Sequence, residues 1–148
     1  MGGVSQHLPH HISMVITLYS LVFPLVRRLR LGNMITIKIP PSINHLYGNS
    51  KWGGKYVKPE GKAWFYEMQY LLQSSPIKNK IITKECALHL TLFTARYRDI
   101  DNILKAVFDV LQRAQVVEND NLIAELHLKR VKVKKIAQEK IEFDIFEL

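Results

Sequence analysis

Between Cys86 and Ala114 the apolar residues change their repeat. Leu88, Leu90 and Leu92 alternate with Ala87, His89 and Thr91, the two-residue period of a strand running from Cys86 to Ala95. From Asp101 to Ala114, Ile103, Leu104, Val107, Phe108, Val110 and Leu111 recur at helical spacing and leave Asn102, Lys105, Asp109 and Gln112 on a polar face. A strand that hands over to an amphipathic helix has two apolar surfaces to bury, and the stable solution is to stack them as layers.

The flanking segments extend the pattern. Met34 to Ile39 alternates Ile35, Ile37 and Ile39 against Thr36 and Lys38, a half-buried strand stopped by Pro40-Pro41. Pro59 suits the first turn of a helix whose Trp64, Phe65, Met68, Leu71 and Leu72 share one face until Ser74-Ser75-Pro76. We read that aromatic pair as core rather than as a base-stacking platform. Leu122, Ala124, Leu126 and Leu128 alternate as a third strand. Val131 and Val133 then fall on the opposite parity, which predicts a bulge or turn near Arg130. Ile141, Phe143 and Ile145 make a fourth strand. The order β-α-β-α-β-β predicts an α/β (α+β) two-layer sandwich, a mixed sheet with its helices on one face.

A chain of 148 residues has the length of one domain with a real core. Its 21 Lys and Arg against 13 Asp and Glu give a net charge of +8, which suits a polyanionic partner. The single cysteine, Cys86, excludes an internal disulfide and a Cys-rich zinc site, and fits a reducing cytoplasm. Residues 1–33 look foreign to the rest. Their apolar run, Ile12 to Val26, has 15 residues and holds Pro24, short of the roughly 20 that a spanning helix needs. Arg27, Arg28 and Arg30 follow the run instead of preceding it, unlike a secretory signal. We therefore expect an accessory or spurious extension over 1–33, a domain over 34–148 and no membrane association; a tether is the alternative.

From Pro40 to Lys58 the chain reads "PPSINHLYGNSKWGGKYVK", with three glycines and no acid. This predicts a long loop or loose hairpin, in which Lys51, Lys55 and Lys58 contact a phosphate backbone.

The acids stand out against this basic background. Asp99 and Asp101 follow the second strand, and two residues apart in extended chain their side chains point the same way. Asp101 and Lys105 are i and i+4 on the helix. Asp120 precedes the third strand, and returns to the same cluster if that strand lies beside the second. One reading is structural: Asp99 or Asp101 caps the helix and Lys105 makes a surface ion pair. Capping needs only one acid. Converging carboxylates repel unless a cation lies between them, and Mg²⁺ held by oxygen ligands is a common means of cutting phosphodiesters. A lysine beside it can offset charge on the transition state.

The stretch "RDIDNILKAVFDVL…VENDNLI", with "PPSINHLY" after the first strand, resembles the RusA family of Holliday junction resolvases. The likeness spans Met34 to Leu148 and rests on R-x-D-x-D-N-x-x-K-x-x-x-D-x-L followed by a further acid. It implies a RusA-like fold and a homodimeric, Mg²⁺-dependent endonuclease with no small-molecule cofactor, resolving four-way DNA junctions by paired nicks. By position it makes Asp99, Asp101 and Asp120 the metal-binding acids and Lys105 the catalytic lysine. Asn102 takes a structural role and Asp109 becomes the salt-bridge partner of Lys105. Asn44, Arg96 and Arg98 join Lys51, Lys55 and Lys58 as expected DNA-binding residues. Two other functions stay open: a nuclease with flap or fork preference, and a non-catalytic nucleic-acid-binding protein whose acids are caps. His89 and His127 read as sheet residues and not as ligands.

Overall fold

The computed structural model describes residues 34–75, 77 and 80–148, so the expected extension over 1–33 lies outside the described residues. A four-stranded sheet of order β1-β6-β4-β5 is built from β1 (Ile35–Ile37), β4 (Cys86–Thr94), β5 (Ile123–Lys132) and β6 (Lys140–Glu147). β6 runs antiparallel to β1 and β4, whereas β4 and β5 are parallel, so the sheet is mixed as expected.

Two long helices, α2 (Pro59–Gln73) and α3 (Ile100–Arg113), cover one face of this sheet. Leu88, Leu90 and Leu92 of β4 are buried beneath them together with Ile141 and Phe143 of β6. Trp64 and Phe65 are buried in α2, in T-shaped contact at 5.1 Å, so the aromatic pair is core. β4-α3-β5 is a parallel crossover that reverses direction through α3, which accounts for the change of apolar repeat in the sequence.

The acid-free segment takes the hairpin alternative, and is more ordered than a loose one. Ile43–Leu46 forms a single-turn helix, α1, followed by an antiparallel hairpin of β2 (Tyr47–Asn49) and β3 (Lys55–Val57). Lys58 closes the hairpin base, its N–H donating to Leu46 O at 2.8 Å and its Nζ to Asn44 O at 2.6 Å. Gly61 lets α1 lie against α2, since a Cβ there would meet Leu46 O at 2.6 Å.

Two local expectations are corrected. β5 runs unbroken from Ile123 to Lys132 in register with β4, with no bulge near Arg130; the irregularity in this pair falls between Cys86 and Ala87. The reason is burial. β5 is an edge strand exposed over most of its length, so no covering layer forces its apolar residues onto one parity. Nor do Asp99 and Asp101 share an extended stretch. α3 begins at Ile100, so Asp99 is the N-cap and Asp101 is already helical.

His89 and His127 sit opposite one another across β4 and β5, ring centroids 4.5 Å apart, with Phe146 beside His89. They are sheet residues in mutual ring contact.

Candidate active site

The polar face of α3 forms one wall of an open groove of about 340 Å³, lined by Asp101, Leu104, Lys105, Phe108, Asp109 and Asp120. Positions i, i+4 and i+8 share a helix face, which puts Asp101, Lys105 and Asp109 in line along it. Asp120 arrives from the 3₁₀ turn Asp120–Leu122 that leads into β5. Three of the four residues expected at the centre, Asp101, Lys105 and Asp120, therefore line one groove.

Asp99 stands apart from that lining. Its Oδ1 accepts the Asp101 N–H at 3.2 Å and its Oδ2 accepts Asn102 Nδ2 at 3.1 Å, so it caps α3 and Asn102 supports the cap. Because β5 is parallel to β4, with Cys86 opposite Ile123 and Thr94 opposite Lys132, Asp120 enters at the start of β4 and Asp99 leaves beyond its end. Strand adjacency brings Asp120 to the groove, whereas the Asp99 carboxylate is turned to the cap. Among the described residues no three of His, Cys, Asp and Glu converge closely enough to enclose a metal ion.

Lys105 is exposed and makes no ion pair among the described residues. Asp109, expected to pair with it, is held from another direction: the Tyr47 hydroxyl donates to Asp109 Oδ2. The Lys105 ammonium instead lies 5.1 Å from the centre of the Tyr47 ring. Burial, and then the bond to Asp109, push the Tyr47 phenol well above its ordinary value, so it stays a proton donor at neutral pH. Tyr47 is the residue that sequence reasoning missed. It lies 62 positions from Asp109, and no local pattern connects the two.

The expected DNA-binding residues divide into two groups. Asn44, Lys51 and Lys55 are exposed on α1 and the hairpin, where Lys58 is tied to the Asn44 carbonyl. Arg96 is exposed just past β4. Arg98 is clasped instead, its Nη2 donating to Glu139 Oε2 at 2.6 Å. The Glu139 side chain is 5% exposed and also accepts the Ala95 N–H at 2.9 Å. Burial alone would raise its carboxyl; the hydrogen bonds from Arg98 and the backbone outweigh it and hold the group below the ordinary carboxylate range.

Comparison with known proteins points the same way as these residues. The sequence family described as Endodeoxyribonuclease RusA matches residues 38–145. A protein of Aquifex aeolicus named crossover junction endodeoxyribonuclease RusA is 35% identical over 105 residues, covering 70% of this chain and 79% of its own. One of the same name from Escherichia coli O139:H28 is 30% identical over 122 residues, 77% of this chain and 93% of its own. A third, from Enterobacteria phage 82, is 29% identical over 109 residues, 68% and 84% of the two chains.

Proposed function

The chain belongs to the RusA family of endodeoxyribonucleases, and we propose that it resolves four-way DNA junctions by Mg²⁺-dependent, paired symmetric nicks. The observation that carries this reading is the α3 groove, where Asp101, Asp120 and Lys105, which has no ion pair among the described residues, lie together in a protein of net charge +8.

The donor set suits a hard cation in kind. Mg²⁺ takes oxygen ligands, keeps several waters and is commonly bound through one or two carboxylates plus a substrate phosphate. Asp101 and Asp120 supply such carboxylates to the groove. Asp99 retains acceptor capacity, since an ionised carboxylate offers about four lone-pair sites and two are used by the cap. We assign Asp101 and Asp120, which line the groove, as the carboxylates that would hold the cation, with the two unused lone-pair sites of Asp99 as a further donor at the start of α3; an ion there would polarise the phosphoryl oxygen and acidify a water.

The chain's own residues do the rest. Lys105 offsets negative charge that builds on the phosphoryl group, and with no carboxylate partner among the described residues that charge is available. Tyr47 holds Asp109 away from it. Lys51, Lys55 and Arg96, all exposed, take the DNA backbone by releasing counterions. Asn44, Lys58 and Arg98 shape the surface around them through the contacts described above. A symmetric junction needs two nicks, and a twofold homodimer supplies two grooves.

The test compares cutting of a mobile four-way junction, a linear duplex and a flap, with Mg²⁺ and with EDTA. We expect Mg²⁺-dependent, symmetric cutting of the junction well above the other two. Equal cutting of all three, or stronger cutting of the flap, would overturn the assignment of substrate.

A further inference from the structure

We propose that Trp52 is a base-stacking residue, presented by the β2–β3 hairpin to the base faces that open at the branch point of a DNA junction. The proposal rests on the reading of this protein as DNA-binding, and goes beyond it in naming a contact to bases instead of phosphates.

Trp52 is 95% exposed, the most exposed large apolar residue among those described. Tryptophan is highly buried on average, so an indole in full contact with water has no folding role at that position. The turn that carries it is well fixed. Ser50 N donates to Gly54 O at 2.6 Å, Gly53 N to Ser50 O at 3.2 Å, and Trp52 N to Ser50 Oγ at 3.2 Å. Gly53 takes φ +89, a conformation that a side chain would strain. A fixed turn holds the backbone that carries the ring, so less backbone freedom is lost on binding.

Its surroundings select the ligand. Lys51 precedes Trp52 and Lys55 opens β3 on the same hairpin, both are exposed, and no acid occurs between Pro40 and Lys58. An aromatic face between cations is the arrangement that takes single-stranded or unstacked nucleic acid: the ring stacks on a base while the ammoniums hold the backbone. An intact duplex hides its base faces, whereas a branch point with opened arms exposes them. The hairpin root is Tyr47, which touches Asp109 and Lys105, so the tip and the groove are joined by one short rigid element. Stacking at the branch point would thus set the distance from it to the cut phosphate.

The protein contains a convenient reporter. Its two tryptophans are Trp52 and Trp64, and Trp64 is buried with Nε1 donating to Lys38 O at 3.2 Å. The experiment titrates the full chain with a four-way junction in Ca²⁺, following tryptophan emission, and repeats it with linear duplex. We expect the exposed component of the emission to be quenched by the junction and not by the duplex. Trp52→Ala should lose that quenching and weaken junction binding by roughly tenfold to a hundredfold, with duplex binding and melting temperature unchanged. Trp52→Phe should recover part of the affinity.

Wild-type junction affinity in Trp52→Ala would overturn the proposal while leaving the DNA reading intact. So would loss of the dimer in that variant by sedimentation, which would make Trp52 an interface residue. Failure of the wild-type protein to bind any DNA would remove the functional reading, and this proposal with it.

Discussion

Arg98 and Lys105 stand seven positions apart, and the two cations are treated in opposite ways. Arg98 is clasped by Glu139, whose side chain is nearly inaccessible and is held further by backbone N–H groups. Arg130 adds to the clasp by donating to the Arg98 carbonyl at 2.7 Å. Lys105 lies in an open groove with no ion pair among the described residues, although Asp109 stands one turn away on the same helix. Opposite charges four residues apart on a helix ordinarily pair, at a gain of a few tenths of a kcal/mol. Here a tyrosine from a distant hairpin takes the acid. The clasp ties the β4–α3 turn to Glu139; the groove leaves Lys105 exposed beside the Tyr47 ring.

The contrast predicts that changes at the two places fail differently. Lys105→Ala should lower junction cutting about a hundredfold or more, because a charge acting on the transition state has gone. It should leave thermal stability intact, since the ammonium is exposed. Glu139→Ala should do the reverse. Removing one partner of a well-ordered, largely buried pair should cost about 2–3 kcal/mol, between the values for exposed and fully buried pairs. For a domain of this size that is a drop of about 10 °C in melting temperature, with residual activity per folded molecule near wild type. Calorimetry and single-turnover cutting on both variants separate the two; a Lys105→Ala protein that melts early would break the comparison.

Tyr47 provides a finer test. Tyr47→Phe keeps the ring under Lys105 but releases Asp109, which can then pair with the lysine. Cutting should fall about three- to tenfold, the scale of a surface ion pair competing with substrate. Adding Asp109→Asn to that variant should restore the lost activity, since Asn has no charge to pair with. A double variant no better than Tyr47→Phe, with the fold intact, would show that ion-pair competition is not the cause.

The smallest effect is a pH dependence. The Glu139 carboxyl lies below its ordinary value of 4.5 in the folded protein. Its contribution is therefore complete above that value and is lost as the pH falls through the lower, folded one. Melting temperatures of wild type and Glu139→Gln should converge as the pH drops below about 4.5 and stay apart at neutral pH. A gap that does not change with acid would mean that the clasp does not depend on charge.

How much of this could be read in the sequence depended on distance along the chain. β4 and α3 were legible because each has one fully buried face, so their apolar residues must keep a strict period. β5 misled because an edge strand is not held to one: Leu126 is 41% exposed and Val131 half-buried, and their parity carries no signal. Asp101 and Lys105 were legible as a helical i, i+4 pair. Asp99 was legible both as cap and as acid, and the structure shows the cap. The Tyr47–Asp109 bond and the Arg98–Glu139 clasp, between residues 62 and 41 positions apart, leave no mark in any local pattern.

Whether the acids at α3 hold a catalytic cation or are only caps is decided by Asp99→Asn, Asp101→Asn and Asp120→Asn, measuring junction affinity in Ca²⁺ and single-turnover cutting in Mg²⁺. Asn nearly matches Asp in shape and as an N-cap, so the fold should survive each change. Cutting should fall by about two orders of magnitude or more in each variant, with junction affinity equal to or above wild type. Wild-type cutting by both Asp99→Asn and Asp101→Asn would contradict the reading of these acids as cation ligands.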